Sequence, residues 1–323
     1  MIDETADTRT LVLAPGRRWP GHRAGQYVAI EVEVDGARVR RSYSISSGGA
    51  ARGARRIAIT VRRVPGGVAS TALHQLRRGA VVGLGTPAGD FVLDAPVAPK
   101  LLLVGGGSGI TPIMAMLRNL ADSRRSETMR GRARQSVIVI HGSRNADDAI
   151  FGAELASLAT RFAWLQIHAR HDDETERGRL DAHGLRTLVP DLADREIFVC
   201  GPLGLIDVVT QAARDVGALH RVHQERFVAP ASRSTTAVEA VTVALIRTGV
   251  DVVASGPGPL LAQLERAGQH PAFGCRMGIC RSCRCRKLRG TVENTATGVV
   301  SSEPDQDILL CVSLARSDLE LAL

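Results

Sequence analysis

Along the first hundred positions, hydrophobic residues alternate with polar ones in short runs. Residues 27–34 read Tyr-Val-Ala-Ile-Glu-Val-Glu-Val, residues 56–61 Arg-Ile-Ala-Ile-Thr-Val, and residues 80–84 Ala-Val-Val-Gly-Leu. A period of two punctuated by glycine and proline predicts strands with one buried face, and Asp35-Gly36 marks a hairpin. Residues 1–98 are therefore expected to form a small antiparallel barrel. From residue 99 the pattern changes. Continuous apolar runs at 101–104, 137–140 and 197–199 alternate with helix-like stretches at 112–120 and 203–216. That predicts a parallel α/β sheet over residues 99–230. The polar stretch Pro-Ala-Ser-Arg-Ser-Thr-Thr at 230–236 predicts a linker, placed at 231–237. Residues 238–323 read as α+β: two short strands, one helix near 259–268, a cysteine-rich loop and further short strands.

Four of the six cysteines set the chemistry of that last segment. Cys275, Cys280 and Cys283 have the spacing Cys-x4-Cys-x2-Cys, and Cys311 follows at a distance behind the apolar run at 308–310. This is the ligand pattern of a plant-type 2Fe-2S ferredoxin. Gly274 and Gly278 permit the sharp turns that such a loop needs. The alternative is structural zinc, but zinc sites usually show two similar Cys pairs. A cluster implies one-electron chemistry, so an electron source is expected elsewhere in the chain. Cys285 lies two residues beyond a ligand and so points the same way in an extended segment. It is expected to pack in the core beneath the cluster. Cys200 and Cys285 give no disulfide framework, which fits a reducing compartment.

Composition narrows the class. The 323 residues are 44% hydrophobic and 23% charged, a globular composition with length for two or three domains. No apolar run reaches the roughly 20 residues of a membrane span, and the acidic, polar opening residues do not resemble a signal peptide, so a cytoplasmic protein is expected. The net charge of +8 raises the question of nucleic acid, but aromatic residues are only 3% of the chain, so stacking platforms are scarce. No nucleic-acid partner is expected. From residue 235 onward, nine basic and nine acidic residues balance, yet Arg276, Arg281, Arg284, Arg286, Lys287 and Arg289 crowd the cysteine loop. They read either as a solvated surface or as a docking face for an acidic partner.

Two further groups of residues have the chemistry of nucleotide cofactors. Arg41-Ser42-Tyr43-Ser44 ends a strand-like run. An arginine there can pair with a phosphate, a tyrosine can stack on an isoalloxazine, and a serine can hydrogen-bond its reactive edge. Gly67, Val68, Ala69, Ser70 and Thr71 open a helix, where glycines and hydroxyls make an anion cradle of backbone N–H groups. Residues 101–104 run into Gly105-Gly106-Gly107-Ser108-Gly109-Ile110-Thr111-Pro112, a strand, a glycine-rich turn and a helix. Thr111 is expected as the N-cap and Pro112 at the first helical position, with the helix N-terminus holding a pyrophosphate. The second strand ends at Ser143-Arg144, where an arginine accommodates a 2′-phosphate. This favours NADPH. An arginine at this point also occurs in NADH-using relatives, so NADH stays open. Cys200-Gly201-Pro202 ends another strand, and Glu225-Arg226-Phe227 closes the domain with no role assigned.

Jointly, Arg-x-Tyr-Ser, Gly-Gly-x-x-Ser, the Gly-x-Phe of Gly89 to Phe91, Gly-Gly-x-Gly-Ile-Thr-Pro and Cys-Gly-Pro resemble the ferredoxin–NADP reductase superfamily. More narrowly, the chain is similar to members with a C-terminal plant-type ferredoxin, such as those serving phenylacetyl-CoA epoxidation, 3-ketosteroid 9α-hydroxylation and bacterial fatty-acid desaturation. The resemblance implies an antiparallel flavin-binding β-barrel, an α/β parallel-sheet nicotinamide domain and a ferredoxin-like β-grasp domain. It places Arg41 on a flavin phosphate, Tyr43 and Ser44 at the ring, and Gly67 to Thr71 around the phosphates. Thr111 then lies near the nicotinamide, and Cys200 beside it aligns the ring for hydride transfer. The fuller Gly-Gly-x-x-Ser-Thr element favours FAD over FMN. The implied activity is electron transfer from NAD(P)H through flavin and cluster to an oxygenase, hydroxylase or desaturase, which can itself be membrane-bound. A redox-sensing binding protein or an Fe–S subunit of a larger complex is the alternative.

Overall fold

The structure is a computed structural model that describes residues 1–126, 135–173, 180–227, 240–273, 278, 283–295 and 297–323. Gly274, Cys275, Arg276, Cys280, Arg281 and the linker at 231–237 lie outside the described residues. The chain divides into two compact units, residues 1–39 with 43–227 and residues 40–42 with 228–323.

The barrel begins with the strands β1 (Ile2–Thr5), β2 (Thr8–Leu13), β3 (Tyr27–Val34), β4 (Ala37–Ser44) and β5 (Ile57–Arg62). The helix α1 (Val68–Gln75) and the short strand β6 (Gly83–Leu84) follow. Two three-stranded sheets, ordered β1-β2-β5 and β4-β3-β6, are joined by single bridges such as Ile45 to Ile59. They wrap a core of Leu11, Trp19, Val28, Ile30, Ile45, Ile57, Ile59 and Leu73. Asp35 and Gly36, both at positive φ (53° and 76°), close the β3–β4 hairpin, the conformation that an Asp-Gly turn favours. The run at 80–84 is strand only at its end, and Val81 is 95% exposed. Without a partner strand or a core beneath it, apolar character alone does not make that run a strand.

The nicotinamide part alternates strand and helix: β7 (Lys100–Gly106), α2 (Ile110–Ser126), β8 (Ser136–Ser143), α3 (Gly152–Arg161), β9 (Leu165–His171), α4 (Ala182–Leu188), β10 (Glu196–Cys200), α5 (Leu203–Asp215) and β11 (Val222–Glu225). All neighbouring strands are parallel, in the order β11-β10-β7-β8-β9. Helices cover both faces, so the central strands carry no polar alternation: Leu101, Leu102, Leu103 and Val104 are at most 1% exposed. Each such side chain contributes about 1.5–3 kcal/mol on burial. Leu101 and Leu103 pack under α2, and Leu102 and Val104 pack under α5.

Barrel and nicotinamide part are joined by charged groups. Arg118 of α2 donates to both carboxylate oxygens of Glu154 (2.9 and 2.5 Å) and, from Nη1, to the carbonyl of Ser46 (2.6 Å). Arg62 of the barrel lies between Asp7 (2.9 Å) and Asp148, which it also contacts.

In the second unit, β12 (Val241–Leu245), β13 (Val250–Ala254), α6 (Leu260–Arg266), β14 (Arg284–Arg289), β15 (Val292–Asn294), β16 (Val300–Ser301), β17 (Gln306–Leu309), β18 (Ser313–Ala315) and β19 (Leu319–Leu321) follow one another. The main sheet is ordered β13-β12-β19-β14-β17, with β12 parallel to β19 and the other pairs antiparallel. Packed against it, α6 completes an α+β ferredoxin-like domain, as expected.

Candidate functional site

The carboxyl ends of β7, β8, β10 and β11 bring the predicted nicotinamide residues to one edge of the parallel sheet. There Gly105 stands beside Cys200, and Cys200 beside Glu225. Glycine is required at this edge by contact. A Cβ on Gly109 would lie 2.2 Å from the Cys200 carbonyl oxygen, and one on Gly106 would lie 2.8 Å from Pro202 and Leu205. Thus the glycine-rich turn is pressed against Cys200, Gly201 and Pro202.

The start of the helix differs from the expectation. Gly107–Gly109 form a 3-10 turn with Gly106 as its cap, and α2 already begins at Ile110. Thr111 is therefore not the N-cap. Its hydroxyl donates to the Ser108 carbonyl at 2.9 Å, because the turn tightens before the helix and moves the cap back by several residues. Pro112 is then the third residue of α2, still within the first turn, where a missing N–H leaves no helical bond unmade.

Burial sets the electrostatics. Cys200 is fully buried, and its thiol is pushed well above the ordinary value by burial and then by the charge of Glu225. Burial alone raises the Glu225 carboxyl to about 8, and its Oε2 has no hydrogen-bond partner. At neutral pH both side chains are therefore predominantly uncharged. Sequence reasoning left Glu225 without a role; only the β10–β11 register reveals its place beside Cys200. His141, buried near the end of β8, is held neutral, its pKa lowered to about 4 by burial and by His171.

At the β8 end, Ser143 is buried and occupied: its hydroxyl donates to the Asn145 carbonyl (2.8 Å) and lies 2.7 Å from His171 Nδ1. Arg144 remains at the surface, 67% exposed at its side chain, but grips Asp148 through Nε and Nη2, both at 2.8 Å. Those bonds hold the Asp148 carboxyl below its ordinary value against the opposing effect of burial.

The barrel offers a second group. Ser44, at the end of β4, is buried, and neither its hydroxyl nor that of Ser42 has a partner. Buried polar atoms are normally bonded, so the orphan hydroxyl of Ser44 fits a polar cofactor edge laid against the end of β4. Arg41 Nη1 donates to the Arg40 carbonyl (2.8 Å). Gly67 caps α1 with no side-chain bond. Ser70 turns back, accepting from Val64 N–H and donating to the Gly67 carbonyl, both at 3.1 Å. The backbone amides of Val68 and Ala69 lie in the first turn of α1, where N–H groups have no intrahelical partner, and the Thr71 N–H closes that turn on the Gly67 carbonyl (3.0 Å).

In the second unit, Cys283 and Cys311 are each 2% exposed, and their sulfurs lie 3.1 Å apart. This is beyond the roughly 2.05 Å of a disulfide. Gly278, at φ 78°, donates its N–H to Cys311 Sγ at 3.2 Å. Paired sulfurs with an amide donor fit thiolate ligands of an iron–sulfur cluster; Cys275 and Cys280 lie outside the described residues. Cys311 comes from a 3-10 turn just after β17. Cys285 is buried in the core of the unit. Lys287 does not belong to a basic face: it is fully buried, and Nζ donates to the Gly290 and Glu303 carbonyls. As the alternation of β14 dictates, Arg284 and Arg286 are exposed; Arg289 is exposed because the register with β19 shifts after Lys287, and each of the three lies 3.7–3.8 Å from an acidic residue.

Comparison with known proteins agrees with this construction. Residues 3–93 match the oxidoreductase FAD-binding domain family, 103–211 the oxidoreductase NAD-binding domain family, and 243–316 the 2Fe-2S iron-sulfur cluster binding domain family. An NADPH oxidoreductase of Mycobacterium tuberculosis is 38% identical over 98% of this chain and 80% of its own length. The glycine betaine monooxygenase reductase subunit of Chromohalobacter salexigens is 32% identical over 98% of this chain and 92% of its own. The solved structure of phthalate dioxygenase reductase superposes with a TM-score of 0.68 at 26% identity, covering 99% of this chain and 95% of that one. Fold and site thus define a nicotinamide-dependent oxidoreductase with flavin and iron–sulfur cofactors. The chain belongs to the ferredoxin–NADP reductase superfamily, in the group that carries FAD-binding, NAD-binding and 2Fe-2S domains on one polypeptide.

Proposed function

We propose that the chain is the reductase component of an oxygenase system, taking electrons from NADPH through FAD and a 2Fe-2S cluster to the oxygenase. Similarity over nearly the whole length to a glycine betaine monooxygenase reductase subunit and to phthalate dioxygenase reductase carries this reading. A hydroxylase or a fatty-acid desaturase as the acceptor is the finer form of the same proposal. The proposed organisation is a flavin barrel over 1–98, a nicotinamide domain over 99–230, a linker at 231–237 and a ferredoxin domain over 238–323. No helix among the described residues is long and apolar enough to cross a membrane. The cysteine usage supports a cytoplasmic setting.

The site residues take these roles. Backbone amides from Gly105 to Thr111, with Gly106, Gly107 and Gly109 giving close approach, hold the nicotinamide pyrophosphate. Arg144 meets the 2′-phosphate in competition with Asp148, and Ser143 fixes the loop that carries it. Cys200, fully buried behind the more exposed Gly201 and Pro202, backs an uncharged wall against which the dihydronicotinamide lies. A neutral Glu225 keeps that wall free of charge, which suits a reduced ring without net charge. Arg41 pairs with a flavin phosphate, Tyr43 flanks the ring, and the Ser44 hydroxyl bonds the ring edge. When bound, the flavin accepts a hydride and releases its two electrons singly, which matches a one-electron cluster. Arg284, Arg286 and Arg289, already paired with acidic neighbours, offer an acceptor a rearrangeable charged surface.

The test is anaerobic addition of NADPH to the purified holoprotein. Bleaching of both flavin and cluster absorption supports the reductase. A flavin that bleaches while the cluster stays oxidised favours a redox-sensing protein or an Fe–S subunit instead.

A further inference from the structure

Helix α2 runs from one candidate site to the other. Its first residue, Ile110, follows directly on the glycine-rich turn of the nicotinamide site. Eight residues on, about 12 Å along the helix axis, Arg118 and Asn119 are fastened to the chain just after β4, the candidate flavin strand. Arg118 Nη1 donates to the Ser46 carbonyl at 2.6 Å, and the Gly49 N–H donates to Asn119 Oδ1 at 3.2 Å. Gly48 comes close as well: a Cβ there would lie 3.2 Å from the Asn119 nitrogen. On its other side the same segment is tied to β5, because the Ser46 N–H donates to the Ala58 carbonyl at 2.8 Å. Two residues before Ser46 stands Ser44, whose buried hydroxyl has no partner.

The Arg118 side chain is itself held in place. Its Nε and Nη2 donate to the two carboxylate oxygens of Glu154 at 2.9 and 2.5 Å, and its guanidinium carbon lies 4.8 Å from the centre of the Phe151 ring. Phe151 is 2% exposed and sits at φ 61°, a conformation that a bulky residue adopts rarely and only where its surroundings impose it. Phe151 opens α3, so one short segment supplies the ring and, three residues later, the carboxylate. A planar guanidinium meets a carboxylate fork, a ring face and a carbonyl together, whereas a lysine ammonium is a single point charge. Between its ends α2 has no room to yield. Ile113, Met114, Ala115, Met116 and Leu117 have no exposed surface, and a close-packed interior transmits a displacement rather than absorbing it.

We propose that Arg118 and Asn119 are positioning residues for hydride transfer: through α2 they set the distance between the nicotinamide turn and the flavin strand. The inference rests on the reductase reading and deepens it. The step served moves one hydride, a proton with two electrons, from the dihydronicotinamide carbon to the flavin and leaves the nicotinamide ring oxidised and positively charged. Neither Arg118 nor Asn119 gives or takes a proton in it. Both hold protein to protein, so their loss leaves the nucleotide its own contacts at Gly105 to Thr111 and at Arg144. What suffers is the alignment of the two rings, and a misplacement of about 1 Å costs roughly 100-fold in rate.

The test uses the holoprotein, mixed rapidly with NADPH over a range of concentrations, so that the limiting rate of flavin bleaching is separated from the half-saturating NADPH concentration. Arg118→Leu is expected to lower the limiting rate at least about tenfold, with the half-saturating concentration, flavin content and cluster content within about twofold of wild type. Asn119→Leu is expected to lower the limiting rate at least about threefold, and Asn119→Asp, which keeps an acceptor for the Gly49 N–H, to restore it. NADPH deuterated at the transferred position is expected to bleach the flavin of Arg118→Leu more slowly than unlabelled NADPH, which identifies hydride transfer as the slowed step. A limiting rate for Arg118→Leu within about twofold of wild type, a loss confined to the half-saturating concentration, or a slowed rate without an isotope effect overturns the assignment. Should Arg118→Leu not retain flavin, the Asn119 pair decides, and equal rates in Asn119→Leu and Asn119→Asp overturn it. A wild-type flavin that NADPH does not bleach counts against the reductase reading instead.

Discussion

Gly109→Ala should separate the nicotinamide step from everything downstream of it. The added methyl would lie 2.2 Å from the Cys200 carbonyl oxygen, 2.5 Å from its carbonyl carbon and 2.7 Å from the nitrogen of Gly201. All three are backbone atoms between fixed neighbours, so no side chain can swing aside. Ordinary carbon–oxygen contact requires about 1 Å more. The turn must therefore move by about that much relative to Cys200. Overpacking of this kind costs about 1–3 kcal/mol of stability, which the unit can bear. Misplacing a reacting group by about 1 Å costs roughly 100-fold in rate. Flavin bleaching after rapid mixing with NADPH should therefore fall by about two orders of magnitude, while cluster content and flavin retention stay at the wild-type level. Gly204→Ala is the control: it sits in α5 with nothing within 4 Å and should leave the rate unchanged. A bleaching rate for Gly109→Ala within twofold of wild type would refute the claim that this contact sets the geometry of the site.

Other outcomes follow from the same geometry. The Glu225 carboxyl is raised to about 8 from an ordinary value of 4.5, so the folded state binds more protons between those limits and loses stability as pH rises through them, by up to about 1.4 kcal/mol per pH unit. Glu225→Gln should abolish that slope, so its melting temperature should gain on wild type as pH rises from 5 to 9; parallel curves would contradict the burial argument. Arg144→Ala should lower kcat/KM for NADPH about tenfold while leaving NADH nearly unaffected, since a charged hydrogen bond contributes about 1.5–3 kcal/mol; equal losses with both nucleotides would remove Arg144 from the 2′-phosphate. Cys285→Ser should retain iron and acid-labile sulfide whereas Cys311→Ser should lose them, because Cys285 packs in the core and Cys311, whose sulfur accepts from the Gly278 N–H, is the proposed ligand.

Much of this arrangement was legible in the sequence because it is local. The Asp35-Gly36 hairpin follows from two residues, and the buried parallel strands follow from runs without polar alternation. What escaped was set by long-range register. Glu225 gains its meaning only from the pairing that puts it next to Cys200, 25 positions earlier. Ser143 looked available, but His171 on the neighbouring strand engages it. Lys287 was read with the loop arginines, but the alternation of β14 turns it inward to two carbonyls. Thr111 has the identity of a cap, yet a 3-10 turn moves the helix start to before it. In each case residue type indicated the chemistry, and the folded surroundings, distant for Glu225 and Ser143 and local for Lys287 and Thr111, decided its direction.

Arg62 has one further implication. It belongs to the barrel, yet one of its two carboxylate partners, Asp148, belongs to the nicotinamide part, and Arg118 reaches the other way to the Ser46 carbonyl. Severing the chain between them would part Arg62 from Asp148, leaving Arg62 with Asp7 alone and Asp148 with Arg144 alone. Recombination that exchanges one half alone therefore inherits mismatched charges, so these two halves should be transplanted between chimeric reductases as a single cassette.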